Sequence, residues 1–264
     1  MLKKINYISV ISVCLFITFS STVDAKNTKS IITDNQLLNL AGKQRMLSQR
    51  IAKDYIYIGN NIATTRANKQ LQESMNRFMM AHKKLHASIQ NKEINNLLTF
   101  VELSSSDLKD ILSDEFTTYN AQLILDLSES MLEGSQYVFN SLQKSFKIKE
   151  SNIIDRVTEQ RMLSQRIAKY YISYQYGIKD KNTVKMMKLT VKRFSDNLNF
   201  LIKNKSNTSE IDKKLTSINK LWKIVHKFYN NIEKGGLPLI VFNTTDKITK
   251  KMDEVTKMYL LKNK

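Results

Sequence analysis

Turn-forming residues are almost missing from this chain: it has one proline and six glycines in 264 residues. A β-sandwich or an α/β sheet needs many tight turns. The poverty therefore excludes both and favours long helices joined by short connections. The only cysteine, Cys14, falls inside an N-terminal apolar run, and Val13 before it is a poor match to a lipoprotein site. Beyond that run neither a disulfide nor a thiolate metal site is available, and no cofactor is expected. No Ser/His/Asp arrangement, glycine-rich phosphate loop or paired catalytic carboxylates stand out, so the chain reads as a non-enzyme. Nor does any later stretch look long and apolar enough for a membrane helix, which takes about 20 residues. No kinase, receiver or other output segment is recognisable, so an output is expected from a separate protein.

What is present begins with an export signal. Lys3 and Lys4 precede a 14-residue apolar run, Tyr7 to Ser20, and Val23-Asp24-Ala25 places small residues at the −3 and −1 positions. That pattern predicts a signal peptide over 1–25 and a periplasmic mature chain; an uncleaved anchor is the lesser alternative. The net charge is +18. Export argues against nucleic acid as the partner of so basic a protein. Lysines spread over helix faces account for most of the charge. Arginine is scarce, yet Arg45, Arg50, Arg161 and Arg166 fall in two copies of one segment.

That segment is an internal repeat. Gln44 to Lys53 (QRMLSQRIAK) is identical to Gln160 to Lys169, at a spacing of 116. The same spacing pairs Tyr55-Ile56 with Tyr171-Ile172, Arg77-Phe78 with Arg193-Phe194, and Leu123-Ile124 with Leu239-Ile240. Read this way, the duplication needs no insertion and covers nearly the whole mature chain. Elsewhere the halves have drifted far apart. A core tolerates swaps such as Leu for Met and would not hold Gln44, Arg45, Gln49, Arg50 and Lys53 identical. Two readings follow: the segment carries a constraint beyond packing, or its packing is unusually demanding.

Four helices are expected in each half, over 33–59, 66–90, 92–114 and 119–148, then 152–178, 181–204, 209–233 and 237–262. Thr33-Asp34 is a capping candidate, Gly59 a stop, and Pro238 suits a first helical turn. The fold class predicted is all-α: two tandem four-helix bundles, modules 26–148 and 149–264, with antiparallel neighbours. With no proline between Gln122 and Gly177, the two modules are also compatible with one shared helix of roughly 55 residues, about 80 Å long.

On a helical projection the first motif has three faces. Leu40, Gln44, Leu47, Ile51, Tyr55 and Ile58 form the expected core stripe. Ala41, Arg45, Ser48 and Ala52 form a stripe of small residues carrying one guanidinium. Met46, Arg50, Lys53 and Tyr57 form the third. A small-residue face lets a second helix approach, and an Arg caught there needs a carboxylate, carbonyls or a bound anion. Two readings stand side by side: an external anion on Arg45 and Arg161, or an acid from a neighbouring helix such as Glu102, Asp107 or Asp126.

Ala41 to Arg50 resembles the opening helix of the PilJ-type module, the N-terminal sensor part of type IV pilus methyl-accepting chemotaxis transducers. It is also similar to the signature helix of nitrate/nitrite sensor kinases. The resemblance implies a periplasmic helical input that binds a small, nitrate- or nitrite-like anion and acts through a membrane-bound transducer or sensor kinase. In the nitrate sensors the first motif Arg holds the anion between paired helices of a homodimer. By position that role falls on Arg45 and Arg161, with Ser48, Ser164, Arg50 and Arg166 as the accompanying ligand-binding candidates. The second copy departs from the pattern: it has Val157-Thr158-Glu159 where the first has Ala41-Gly42-Lys43.

The main alternative function is a structural or adaptor protein of the cell envelope or pilus system. His82 and His86, at i and i+4, are a weak metal pair beside Lys83 and Lys84 and read as a solvated face; no metal site is expected.

Overall fold

The computed structural model describes residues 32–146, 151–179 and 181–262. The predicted signal peptide and the proposed module boundary at 148/149 lie outside the described residues. The described residues contain eight α-helices and no strand: α1 (Asp34–Gly59), α2 (Thr64–Ser88), α3 (Lys92–Ile111), α4 (Thr118–Phe146), α5 (Ser151–Tyr176), α6 (Lys181–Ile202), α7 (Ser209–Asn230) and α8 (Pro238–Lys262). The all-α reading and the eight helices expected from the sequence are what is found.

Local chemistry accounts for the ends. Thr33 caps α1 in a reciprocal box: its hydroxyl accepts from the Gln36 amide at 3.3 Å, and the Gln36 side chain accepts from the Thr33 amide at 2.8 Å. Asn91 and Thr208 cap α3 and α7 in the same one-sided way. Such caps satisfy amides that a helix start leaves free. Pro238 opens α8, where its missing N–H costs nothing. Gly59 is at the end of α1 for a different reason than a stop signal. A Cβ there would lie 2.0 Å from the Phe116 ring, so the residue is small because an aromatic side chain lies against it.

Ile32–Lys264 form one compact unit. α1 packs on α2, α4 and α5, while α5 packs on α1, α6 and α8; α3 closes against α4, and α7 bridges α6 and α8. The two motif helices are thus the central pair, each packed on the other and on two helices of its own copy. They run parallel. Gly42 meets Thr158, its counterpart at spacing 116. Glu129 of α4, next to the Ser128 carbonyl that binds Gln49, also binds Arg166 and Lys169. Arg166 and Lys169 are the counterparts of Arg50 and Lys53, so the two helices keep the same height.

The shared rod does not exist. A continuous helix would hold Glu129 and Lys169 about 60 Å apart at 1.5 Å per residue. Instead they form an ion pair, so the chain reverses between α4 and α5 and the copies lie side by side.

The register of the duplication also needs correcting. Buried positions of α2 recur in α6 at spacing 116: Ala67, Phe78 and Leu85 match Thr183, Phe194 and Leu201. In α3 and α7 the spacing is 117, with Ile94, Leu98 and Val101 matching Ile211, Leu215 and Ile218. In α4 and α8 it is again 117: Ile124, Leu125 and Ser128 match Val241, Phe242 and Thr245. One extra residue therefore sits in the α6–α7 connection, 203–208. The match of Leu123-Ile124 to Leu239-Ile240 is coincidental; Leu239 and Ile240 are half exposed.

Most of α1 is enclosed, though Leu40, Lys43 and Arg50 are only half-buried. Of the third face, Met46, Lys53 and Tyr57 are buried and Arg50 is half-buried, and most of the other two faces is buried as well. Three neighbours surround the helix, and its polar side chains are tolerated inside because most find partners.

Candidate functional site: the paired motif helices

Both leading arginines are fully buried. Arg45 reaches from α1 to the other copy. Its Nη1 donates to Asp155 at 2.9 Å and to Gln136 at 2.6 Å, and its Nη2 donates to the Thr158 hydroxyl at 2.6 Å. The guanidinium lies over the Phe139 ring, 4.0 Å from its centre. Arg161 makes the reciprocal reach, donating to Asn39 at 3.0 Å and to Asp253 at 2.7 Å. Asn39 and Asp155 are counterparts at spacing 116, and Gln136 and Asp253 at 117. Each copy therefore holds the other's arginine through equivalent positions, with the acid on a different helix in each case.

None of Glu102, Asp107 and Asp126 supplies the acid for Arg45; Asp155, from the second copy, does. Burial pulls the Arg161 guanidinium down and Asp253 opposes it, while Arg161 and Lys257 hold the Asp253 carboxyl below the usual range against the effect of burial. A buried guanidinium with no carboxylate would be costly, and these pairs remove that cost.

Ser48 and Ser164 are buried beside the arginines. Each donates back to the carbonyl of the arginine three residues earlier, at 2.9 Å, and Ser164 also bonds Thr249. The motif lysines form a second crossed pair. Lys53 donates to Asp246 of α8 at 2.8 Å and to Gln70 at 2.6 Å. Lys169 binds Glu129 of α4. Burial alone would raise the Glu129 carboxyl, but Lys169 and Arg166 bring it down to about 2. Burial also lowers the Lys169 ammonium to about 8, against the pull of Glu129.

The second motif arginines differ between copies. Arg166 is held by Glu129 and Tyr170. Arg50 has no hydrogen bond or ion pair among the described residues, and its Nε is buried without a partner. Where the second copy has Tyr170, the first has Asp54, wholly buried 3.2 Å from Lys53, with its carboxyl pushed up to about 7 by burial. The identical segments thus lie in unlike surroundings.

Sequence reasoning missed Asp155, Asp253, Asp246 and Glu129. The departures at 157–159 were visible, but nothing in one chain says that Thr158 would bond Arg45. His82 lies 3.6 Å from Glu102, and its imidazole is held down by burial. No group of three or more His, Cys, Asp or Glu residues placed to hold a metal occurs among the described residues.

No described helix is long and apolar enough to cross a membrane. In the comparison with protein families, residues 27–96 match the type IV pili methyl-accepting chemotaxis transducer N-terminal family. The match takes in α1, α2 and the start of α3, about a quarter of the chain. The resemblance read from the first motif is supported over that span; the second copy lies outside it. No curated protein and no solved structure matches the chain.

Proposed function

We propose that this chain is a periplasmic sensory-input module of the chemotaxis-transducer type, responding to a small anion and acting through a separate membrane-bound transducer or sensor kinase. The observation that carries the reading is the parallel α1–α5 pair, cross-held by Arg45 on Asp155 and by Arg161 on Asn39. In the relatives suggested by the motif, two chains supply the paired helices. Here one chain contains both, so a homodimer is not needed to make the pair. A nitrate-like anion at Arg45 or Arg161 would compete with Asp155 and Asp253 for the same donors, which makes the pair a two-state element: closed on its own carboxylates or opened by a stimulus.

Electron-spin distance measurement tests this. Gln72→Cys and Lys188→Cys place labels on exposed, equivalent positions of α2 and α6. Nitrate, nitrite and a wider anion panel are then added, with calorimetry in parallel. A shifted distance distribution with saturable heat supports the sensor. One unchanged distance for every anion sinks it.

The second reading, an envelope adaptor, is favoured by apolar side chains left exposed on α2 and α3, Met80 at 59% and Leu103 at 61%. It predicts a partner whose capture depends on those residues and on no small ligand.

A further inference from the structure

The duplication supplies an internal control for where a ligand binds. Beside the motif pair lies a cleft of about 670 Å³ between α1, α2 and α8. Its counterpart on the other copy, between α4, α5 and α6, is a pair of hollows of about 580 and 490 Å³ that share Glu159, Leu163, Arg166 and Arg193. These shared residues are the counterparts of Lys43, Leu47, Arg50 and Arg77, which line the first cleft. The two sites have one origin and a different balance of charge, the first with a large excess of cations. Lys43 in the first stands where Glu159 stands in the second, and Lys250 where Glu133 stands, at spacing 117.

In the second site the charges are neutralised. Arg166 is held by Glu129, Arg193 by Glu159 at 2.6 Å, and Asn197 also bonds Glu159. In the first they are not. Arg50, Lys43, Lys84 and Lys250 make no ion pair among the described residues, and Arg77 has only Glu73 at 3.7 Å. The two carboxylates in the cleft are already engaged, Asp246 with Lys53 and Asp253 with Arg161 and Lys257. Burial and the nearby cations Arg161, Lys257 and Arg77 lower the Lys43 ammonium, with Asp253 opposing. The walls between the cations are apolar: Leu40, Met46 and Met80.

We propose that the α1–α2–α8 cleft binds an organic anion, a carboxylate or sulfonate head on an aliphatic or aromatic body, with Arg50 at the head and Lys43 and Lys250 beside it. Half-buried Arg50 and Lys43, with exposed Lys84, Lys250 and Arg77 around them, leave an excess of positive charge in the cleft that attracts a negative group. The volume is that of a site for a small organic molecule. A bare inorganic anion would leave the apolar walls uncovered. This deepens the sensory reading by placing the stimulus at Arg50 rather than at Arg45 and Arg161, which are directly paired. Among the described residues no carboxylate reaches Arg50 within ion-pair distance, although Asp246 and Asp54 act on it from further off.

Calorimetry of the purified chain with octanoate, succinate and nitrate tests it. Octanoate should bind one to one and more tightly than the other two. Arg50→Gln should weaken it roughly tenfold or more, the scale of one charge-assisted hydrogen bond. Lys43→Glu and Lys250→Glu, which write the second site's charges into the first, should weaken it too; circular dichroism checks that each variant folds. Lys192→Gln, in the other site, should leave it unchanged. No saturable octanoate binding, equal affinity for nitrate, or equal binding by folded Arg50→Gln and Lys250→Glu overturns the proposal. Octanoate bound at Arg50 without a change in the α2–α6 distance leaves this site standing while the sensory reading fails. A distance change with nitrate alone does the reverse.

Discussion

Gly42 and Thr158 occupy the same position in the two copies and touch each other: a Cβ on Gly42 would lie 2.8 Å from the Thr158 Cβ. This contact of the motif helices therefore pairs a position with its own counterpart, and only one of the two carries a side chain. Thr158 also accepts from Arg45, so the asymmetry selects which arginine gains a third bond. Gly42→Thr should overpack this crossing and cost about 1–3 kcal/mol. The exchange Gly42→Thr with Thr158→Gly should recover part of it, because the hydroxyl is then offered to Arg161. Urea unfolding of the two variants decides; no recovery in the double variant would contradict the local symmetry.

Removing the acid from either arginine should be more damaging than removing a surface charge. Asp155→Ala and Asp253→Ala each leave a wholly buried guanidinium without its carboxylate, an effect of about 3 kcal/mol at the low end for buried pairs. Lys192 and Asp196 form an exposed i,i+4 pair, and Asp196→Ala should cost under about 0.5 kcal/mol. Thermal and urea unfolding should separate the two classes clearly.

Glu129 should contribute to the acid limb of stability, alongside Asp246 and Asp253, whose carboxyls are also held low. Its folded carboxyl is lowered to about 2, so the stabilisation is present above the ordinary glutamate range and is lost as pH falls through it towards 2. Glu129→Gln should partly flatten that limb while lowering stability at neutral pH, since Arg166 and Lys169 lose their partner. Asp54 acts with the opposite sign. Its folded value is raised to about 7, so stability declines as pH rises from the ordinary aspartate range to about 7, then levels. Asp54→Asn should remove this decline, making the variant relatively more stable at pH 8 than at pH 4. Unfolding curves across that range supply the check.

Much of this molecule is written in local patterns. Thr33, Asn91 and Pro238 mark helix starts that depend only on neighbouring residues, and the eight helices follow from them and from the apolar periodicity. The central position of α1 is not local. Lys53 and Gln49 look solvent-facing because polar side chains usually are, and they are buried because Asp246 and the Ser128 carbonyl come from distant helices. The same holds for the site. Repetition of Arg45 and Arg161 marked them as constrained and left open whether the partner is an anion or an acid. The choice rests on Asp155 and Asp253, 110 and 92 residues away. Arg50 and Arg166 sit in the same ten-residue segment and differ through the residue that follows it, Asp54 or Tyr170, and through distant Glu129.

The one-residue shift in the duplication is similarly invisible at the level of matched letters and plain in burial. Because the extra residue lies in the α6–α7 connection, its removal should be absorbed there. Deleting exposed Lys205 brings α7 and α8 to the spacing of 116 without turning either helix, and loop length alone changes closure entropy little. The expected loss is about 1 kcal/mol, mostly from the bonds among Asn204, Ser206 and Asn207. Deleting Lys213 inside α7 should be far worse. It rotates everything after it by about 100°, taking Leu215, Ile218, Trp222 and Val225 off the buried face. If the two deletions lower the unfolding midpoint equally, the extra residue does not belong to the connection and the register assignment is wrong.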